Sequence, residues 1–585
     1  MADRVPSDSL RWAWLAIAAL ALASRLIGLG TTPLAPSEAG RAVVAWDAAR
    51  SGTWPDSSES PLLLVGNALL FTIFYPTAWL ARLLPALAGT ALVVLPFLWR
   101  RQIGELGALV ASGLLLVSPL SLFAARRVDA AAIAILGAGL LLTLAFGSEA
   151  KGATRTAWLA WGLALGLTGG PAFYDALIAG VLVWLTLRRL GVSGHPRASL
   201  SWRRGVAIGL GAALIISVAG GLRWSGWAGV LDGAATWLGE WRIQADRGLA
   251  PAGLLLLYEP VLLILTATGL GLLAARPRAG LALAAGDRQG APWGVALLGG
   301  VVALLIAARP GVSSEGVSLI VLPMALFGGW AADRLWGSLK LQERRWMGLH
   351  SLVSALFWAP ALLALAQNAR GIIGTDQILL ILLGLMVLIG LQVLLVFIFL
   401  VQVPPALVWR SALTGLSAVF LFLQTGFGAG VAFVRSDQAI EPAIHTAGSH
   451  NLGHLTETVQ RIGILREERL DSLQVVLLNR DDTLTASLRW ALRGLGNVTS
   501  AVDWPEDPDA LVIAPEAVDL SDTALDAEWQ GMRFVAATTY AAPPPRCQLV
   551  PLACSEALRW YLYRESSNSP AQRSVILWRV PAEER

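Results

Sequence analysis

Two small sets of charged residues carry the chemistry this chain can do. One follows the first apolar block and holds Glu38, Arg41, Asp47, Arg50, Asp56 and Glu59. The other is the tight run Arg126-Arg127-Val128-Asp129. A carboxylate sheltered from water has a raised pKa and can accept a proton from an attacking hydroxyl. Glu38, in Leu34-Ala-Pro-Ser-Glu38-Ala-Gly-Arg41, is the candidate for that work, and Asp47 is its alternate. Glu38 also has a plainer reading, in which it opens a helix after Pro36 near the positive end of the helix dipole. Paired guanidinium groups suit phosphate oxygens, so Arg126 and Arg127 read as a phosphate contact. The alternative there is an ion pair of Asp129 with its neighbours, plus lipid head-group contact. The residues alone leave both choices open.

The elements that must position these groups are mostly apolar. The chain is 55% hydrophobic and only 14% charged, with a mean hydropathy of +0.62. A soluble chain is nearer a quarter charged. Residues 1–434 hold 13 apolar stretches, each long enough or nearly so to cross a bilayer as a helix. They lie near 12–29, 77–99, 105–123, 129–147, 157–170, 172–187, 205–222, 253–275, 291–308, 316–336, 348–366, 378–401 and 407–434. The first imitates a signal peptide through Ala21-Leu22-Ala23 and is read as a retained span. Residues 435–585 break the pattern. The expected class is therefore an α-helical polytopic membrane protein with a C-terminal soluble α/β domain. A soluble enzyme and a nucleic-acid binder are excluded.

Charge sets the orientation. Residues 1–434 have a balance of +11 and residues 435–585 one of −7. With the N-terminus inside, inner loops hold 18 positive charges and outer loops nine. An odd span count then puts the C-terminal domain outside the cell membrane. The first outer loop, 30–76, is long and has two amphipathic pieces, near 38–50 and 60–74. The loop 223–252 carries Trp224, Trp227, Trp237 and Trp241 among charges, as interfacial helices do. The 25 Trp residues fit aromatic belts. The basic excess reads as topology and membrane-lipid contact.

In the C-terminal part, helices are expected at 454–468, 484–493, 521–529 and 555–564. Strands are expected at 473–478, 497–502, 510–514, 533–538 and 574–580. Their rough alternation implies a small α/β sheet domain. It shows no glycine signature for phosphate and no metal cluster, so it reads as a structural or acceptor-docking lid. Cys547 and Cys554 either close a short disulfide loop or, on a helix two turns apart, stand too far apart to bridge.

The chain also resembles a known family. Arg25-Leu-Ile-Gly-Leu-Gly, Pro33-Leu-Ala-Pro-Ser-Glu38-Ala and Ala45-Trp46-Asp47 are similar to the start of GT-C-type membrane glycosyltransferases. Ser60-Pro-Leu-Leu, Arg82-Leu-Leu-Pro85, Ser118-Pro119 and Ala125-Arg126-Arg127-Val-Asp129 follow the order typical of the protein mannosyltransferase and aminoarabinose transferase branch. Leu257-Tyr258-Glu259-Pro260, Leu488-Arg489-Trp490 and Trp560-Tyr561-Leu-Tyr563-Arg564 resemble a prokaryotic subgroup labelled flippase-associated. The resemblance implies inverting transfer of a sugar from a polyprenyl-phosphate carrier to a lipid, protein or glycan acceptor on the outer face of the cell envelope. It implies a first-loop base, commonly the Asp of an Asp-Glu pair; here the pair is Ser37-Glu38. It implies carrier-phosphate contacts at Arg126, Arg127, Asp129 and Arg41. No certain cofactor is implied, and a divalent metal stays open. Two other readings are a lipid-linked sugar flippase or transporter and an inactive scaffold that binds the carrier.

Overall fold

The computed structural model describes residues 8–147, 152–189, 200–242, 249–274, 290–337, 339, 341–369, 378–466, 469, 472–478, 482–505, 507, 509–516, 529–540, 555–565 and 569–579. Helices dominate up to residue 434. In order they are α1 Asp8–Leu26, α2 Pro36–Ser51, α3 Pro61–Ile73, α4 Ala78–Val94, α5 Glu105–Val117, α6 Pro119–Ala125 and α7 Ala131–Leu142. Next come α8 Gly152–Gly169, α9 Ala172–Arg189, α10 Leu200–Ser217, α11 Gly229–Gly239, α12 Pro251–Tyr258, α13 Pro260–Ala274 and α14 Gly290–Ala308. The last of the bundle are α15 Val321–Trp336, α16 Leu341–Ala369, α17 Ile378–Gln402 and α18 Pro405–Ala429. Among the described residues three helical stretches, Ala78–Ile103, Ser314–Trp336 and Pro405–Val434, are long and apolar enough to cross a membrane. The number is five when two bent pairs, α5 with α6 and α12 with α13, each count as one span. That count, taken over the described residues alone, is lower than the 13 stretches read from hydropathy.

Both amphipathic pieces of the first loop are helices. α2 starts at Pro36, whose missing N–H is harmless in a first turn. Glu38 accepts the Ala35 N–H at 2.9 Å and so caps its own helix. Gly52, with φ of 69°, ends it in the left-handed region that glycine tolerates. α3 is capped by Ser60, whose hydroxyl accepts the Leu63 N–H and donates to Thr168 O at 3.0 Å. α4 contains Pro85, which cannot donate to the Ala81 carbonyl. The Asn67 amide of α3 donates to that carbonyl instead, at 3.2 Å. In the 223–252 loop, α11 follows a short 3-10 turn.

The C-terminal domain has strands β1 Thr446–Gly448, β2 Gln474–Leu478, β3 Asn497–Ala501, β4 Leu511–Pro515, β5 Gln530–Thr539 and β6 Ala571–Arg579. Its helices are α19 Asn451–Leu465, α20 Asp482–Ala491 and α21 Ser555–Tyr563. The sheet order is β1-β5-β6-β4-β2-β3, with β2 parallel to β3 and β4 and the other pairs antiparallel. α19 and α20 cover one face through Leu455, Val459, Leu484 and Leu488. β1 has too few residues to register as a strand by alternation and was not expected. The helix expected at 521–529, apart from Trp529, and both cysteines lie outside the described residues.

The sheet domain sits on the first loop. Trp490 enters the cluster of Leu34, Val43, Leu63 and Val128, with its ring 5.9 Å from that of Phe71. Burying a side chain of this size contributes on the order of 2–3 kcal/mol. The nearby Arg489–Asp47 pair, at 3.0 Å, is partly exposed and adds at most about 1 kcal/mol. Trp490 is therefore the anchor. Gly448 in β1 presses on the Leu34 carbonyl so closely that a Cβ there would lie 2.2 Å from it.

Candidate functional site

Glu38 is 1% exposed. Its Oε1 accepts from Arg82 Nε at 3.0 Å and Val128 N at 2.7 Å. Its Oε2 accepts from Arg82 Nη2 at 2.8 Å and stands 3.2 Å from Arg127 Nη1. Burial pushes the carboxyl pKa up, but Arg127 and Arg82 together overcome it and hold the group at about 2. A carboxylate so stabilised accepts a proton poorly, which departs from the raised pKa expected of a sheltered base. Arg82 itself also donates to the Leu29 and Thr32 carbonyls at 2.9 and 3.1 Å. Its only chemical signal in the sequence is a charge inside an apolar helix, which assigns it no role.

The two arginines of the 126–129 turn differ. Arg126 donates to the carbonyls of Ser24, Arg25, Ile27 and Gly28, at 2.8 to 3.3 Å, and stacks on Phe433. It thereby closes the C-terminal end of α1, where carbonyls lack partners and a cation is favoured. Arg127 touches Glu38, donates to Thr446 O at 3.4 Å, and lies 3.9 Å from Glu315. Its Nε is buried and makes no hydrogen bond. Both line a cavity of about 20 Å³ with Arg82, Thr32, Phe123 and Ser436.

Asp129 accepts the Ala131 N–H at 2.7 Å, opening α7, and pairs with Arg41 at 3.2 Å. Arg41 also pairs with Glu59 and donates to Val128 O. The structure thus brings Glu38, Arg127, Arg41 and Asp129 together. It does not bring Asp47 to them. Nine residues past Glu38 on an α-helix is about half a turn off, and Asp47 faces Arg489 of the sheet domain.

A second charged centre was not read from sequence. Asp175, in the first turn of α9, meets Arg309 at 2.6 Å and accepts Trp237 Nε1 at 2.8 Å. Arg309 Nε also lies 3.2 Å from Glu240. Burial raises the Glu240 carboxyl to about 7, with Arg309 opposing and the charges of Asp175, Glu59 and Asp129 adding. Among the described residues no group of three or more His, Cys, Asp or Glu is placed to hold a metal ion.

The chain is thus a mostly helical bundle whose first-loop helices lie under a C-terminal sheet domain. The chain is similar in fold over nearly its full length to ArnT from Cupriavidus metallidurans. Against the crystal structure of that protein bound to undecaprenyl phosphate the TM-score is 0.54 at 14% identity, covering 97% of this chain and 98% of the other. Against its apo form the TM-score is 0.51 at 17% identity, covering 98% of each. No protein-family model matches the chain, and no curated protein sequence matches it.

Proposed function

We propose that this protein is a membrane glycosyltransferase that moves a sugar from a polyprenyl-phosphate carrier to a lipid, protein or glycan acceptor, with inversion. The observation that carries the reading is Arg127. It lines a small cavity with mixed polar and apolar walls, and its buried Nε–H makes no hydrogen bond and stands 3.9 Å from Glu315, in a fold shared with a protein that binds undecaprenyl phosphate. A phosphate oxygen is the acceptor such a donor suits. Thirteen spans, an inside N-terminus and an external sheet domain complete the proposal, supported by the charge bias between loops.

In this reading Arg127 contacts the carrier phosphate, with Arg82 beside it. Arg126 holds α1, and Asp129 and Arg41 brace the turn. Glu38 keeps the guanidinium groups in place and ionised; the base role proposed for it passes to Glu240. Burial and the charges of Asp175, Glu59 and Asp129 push the Glu240 carboxyl up to about 7, the range that suits a general base, and its links to Asp129 and Glu59 tie it electrostatically to the Arg41–Asp129 cluster. The test is incubation of the purified protein in lipid with a panel of polyprenyl-phosphate sugars and measurement of released carrier phosphate. Release with one donor supports the proposal. Binding of carrier without release with any donor favours the inactive scaffold, a reading that Ser37 in the usual Asp position supports.

A further inference from the structure

The two bent helix pairs meet at one buried carboxylate. α5 and α6 bend by 62° at Ser118, and α12 and α13 bend by 99° at Glu259. Glu259, Ser118 and Gln424 are all fully buried. Glu259 Oε1 accepts from Ser118 Oγ at 2.5 Å and from Leu120 N at 3.2 Å. Its Oε2 accepts from Gln424 Nε2 at 2.9 Å, and Gln424 Oε1 in turn accepts Val261 N at 3.2 Å. Three donors from two other elements therefore converge on the residue between α12 and α13. Ser118 also accepts Ser121 N, so its hydroxyl joins the α6 cap to Glu259.

The far end of α6 matters. The helix has seven residues, all buried, and spans roughly 10 Å. Arg126 follows directly and Arg127 comes next, with the Arg126 N–H still bonded to Phe123 O at 3.0 Å. A helix this short has little stability of its own and takes its position from its ends and its packing. We infer that Glu259 is a positioning residue: by fixing the N-terminal end of α6 it sets where Arg127 presents its guanidinium. The inference rests on the proposed carrier-phosphate site.

The chemistry is a set of hydrogen bonds to one buried carboxyl group. Removing that acceptor leaves the Ser118 hydroxyl, the Leu120 N–H and the Gln424 amide in want of a partner, each costly in a buried site. α6 then shifts or frays to satisfy them. Exchanging the two partners keeps the network. In Glu259→Gln with Gln424→Glu, the new amide donates to the new carboxylate, its oxygen still accepts from Ser118 and Leu120, and Val261 N still finds an acceptor.

The full-length protein in lipid nanodiscs is tested with undecaprenyl phosphate as the probe. Two quantities are read: the dissociation constant, and amide hydrogen exchange over residues 119–128. Glu259→Ala is expected to weaken binding by about tenfold or more and to speed exchange over 119–128 by a similar factor. The double exchange variant is expected to return both to near wild type. Should Glu259→Ala fail to fold, Ser118→Ala and the double variant carry the same two readouts. Unchanged exchange over 119–128 in a folded Glu259 or Ser118 variant overturns the inference. So does faster exchange with unchanged binding while Arg127→Ala weakens binding. Should Arg127→Ala itself bind the probe normally, the carrier-phosphate reading fails, and the hold of Glu259 on α6 is decided by exchange alone.

Discussion

Glu38 and Glu240 are both glutamates withdrawn from water beside arginine, yet one carboxyl is held at about 2 and the other at about 7. The difference lies in who shares the cation. Glu38 has two guanidinium groups and two backbone N–H groups directed at its two oxygens. Glu240 shares Arg309 with Asp175, which takes the shorter contact, and feels the charges of Glu59 and Asp129 besides. Burial is common to both, so it does not decide the outcome. The local ratio of cations to anions does, and it divides the work into a fixed charge and a group that can exchange a proton.

The contrast yields expectations for five variants. The largest effect belongs to Glu240→Gln, which is expected to slow transfer by about 10²–10⁴-fold. A base must be unprotonated, so the wild-type rate is expected to rise with pH through about 7. That rise is expected to vanish in the variant. A rate profile flat across neutral pH in the wild type removes Glu240 from the role.

Glu38→Gln is expected to act on the fold. It leaves Arg82 buried without its carboxylate and Arg127 with the more distant Glu315, at a cost of about 3–5 kcal/mol. The check is thermal unfolding in detergent. Because the native pKa is depressed, the stabilising contribution is full above the ordinary value of 4.5 and fades as pH falls toward about 2. An unchanged melting temperature combined with lost turnover would restore Glu38 as the base.

Arg127→Ala is expected to weaken undecaprenyl-phosphate binding by about tenfold or more, as loss of a charged hydrogen bond does. Arg126→Ala is expected to lower stability instead, since it frees the carbonyls at the end of α1. Equal loss of binding in both variants at unchanged melting temperature would reinstate the pair as one phosphate fork. The smallest effect is that of Asp47→Asn, within about 1 kcal/mol of wild-type stability, because its pair with Arg489 is partly exposed. A loss of transfer on the scale of Glu240→Gln would show that Asp47 reaches the chemistry after all.

Much of this was readable in advance. Proline, glycine and capping residues mark α2 and α3 within a few positions. The change of pattern after residue 434 marks the sheet domain, and the two adjacent arginines between apolar blocks mark the turn at 126–129. The place of Asp47 was also within reach: nine residues from Glu38 on one helix is half a turn, and a count of turns alone conceals it. Arg82 was visible as a charge in an apolar helix and in the run Arg82-Leu-Leu-Pro85, but without a role.

What the sequence determined by itself is what depends on neighbours along the chain: apolar blocks, helix starts and stops, and which groups can ionise. Those follow from backbone geometry and local hydrogen bonding. Only the tertiary structure decided which groups meet. Glu38 finds Arg82 44 positions away, and Asp175 finds Arg309 134 positions away. Neither separation leaves a periodic trace. A carboxyl's pKa depends on the charges within a few ångströms in space and on lost water, so the same glutamate is a fixed anion in one centre and a titrating acid in the other.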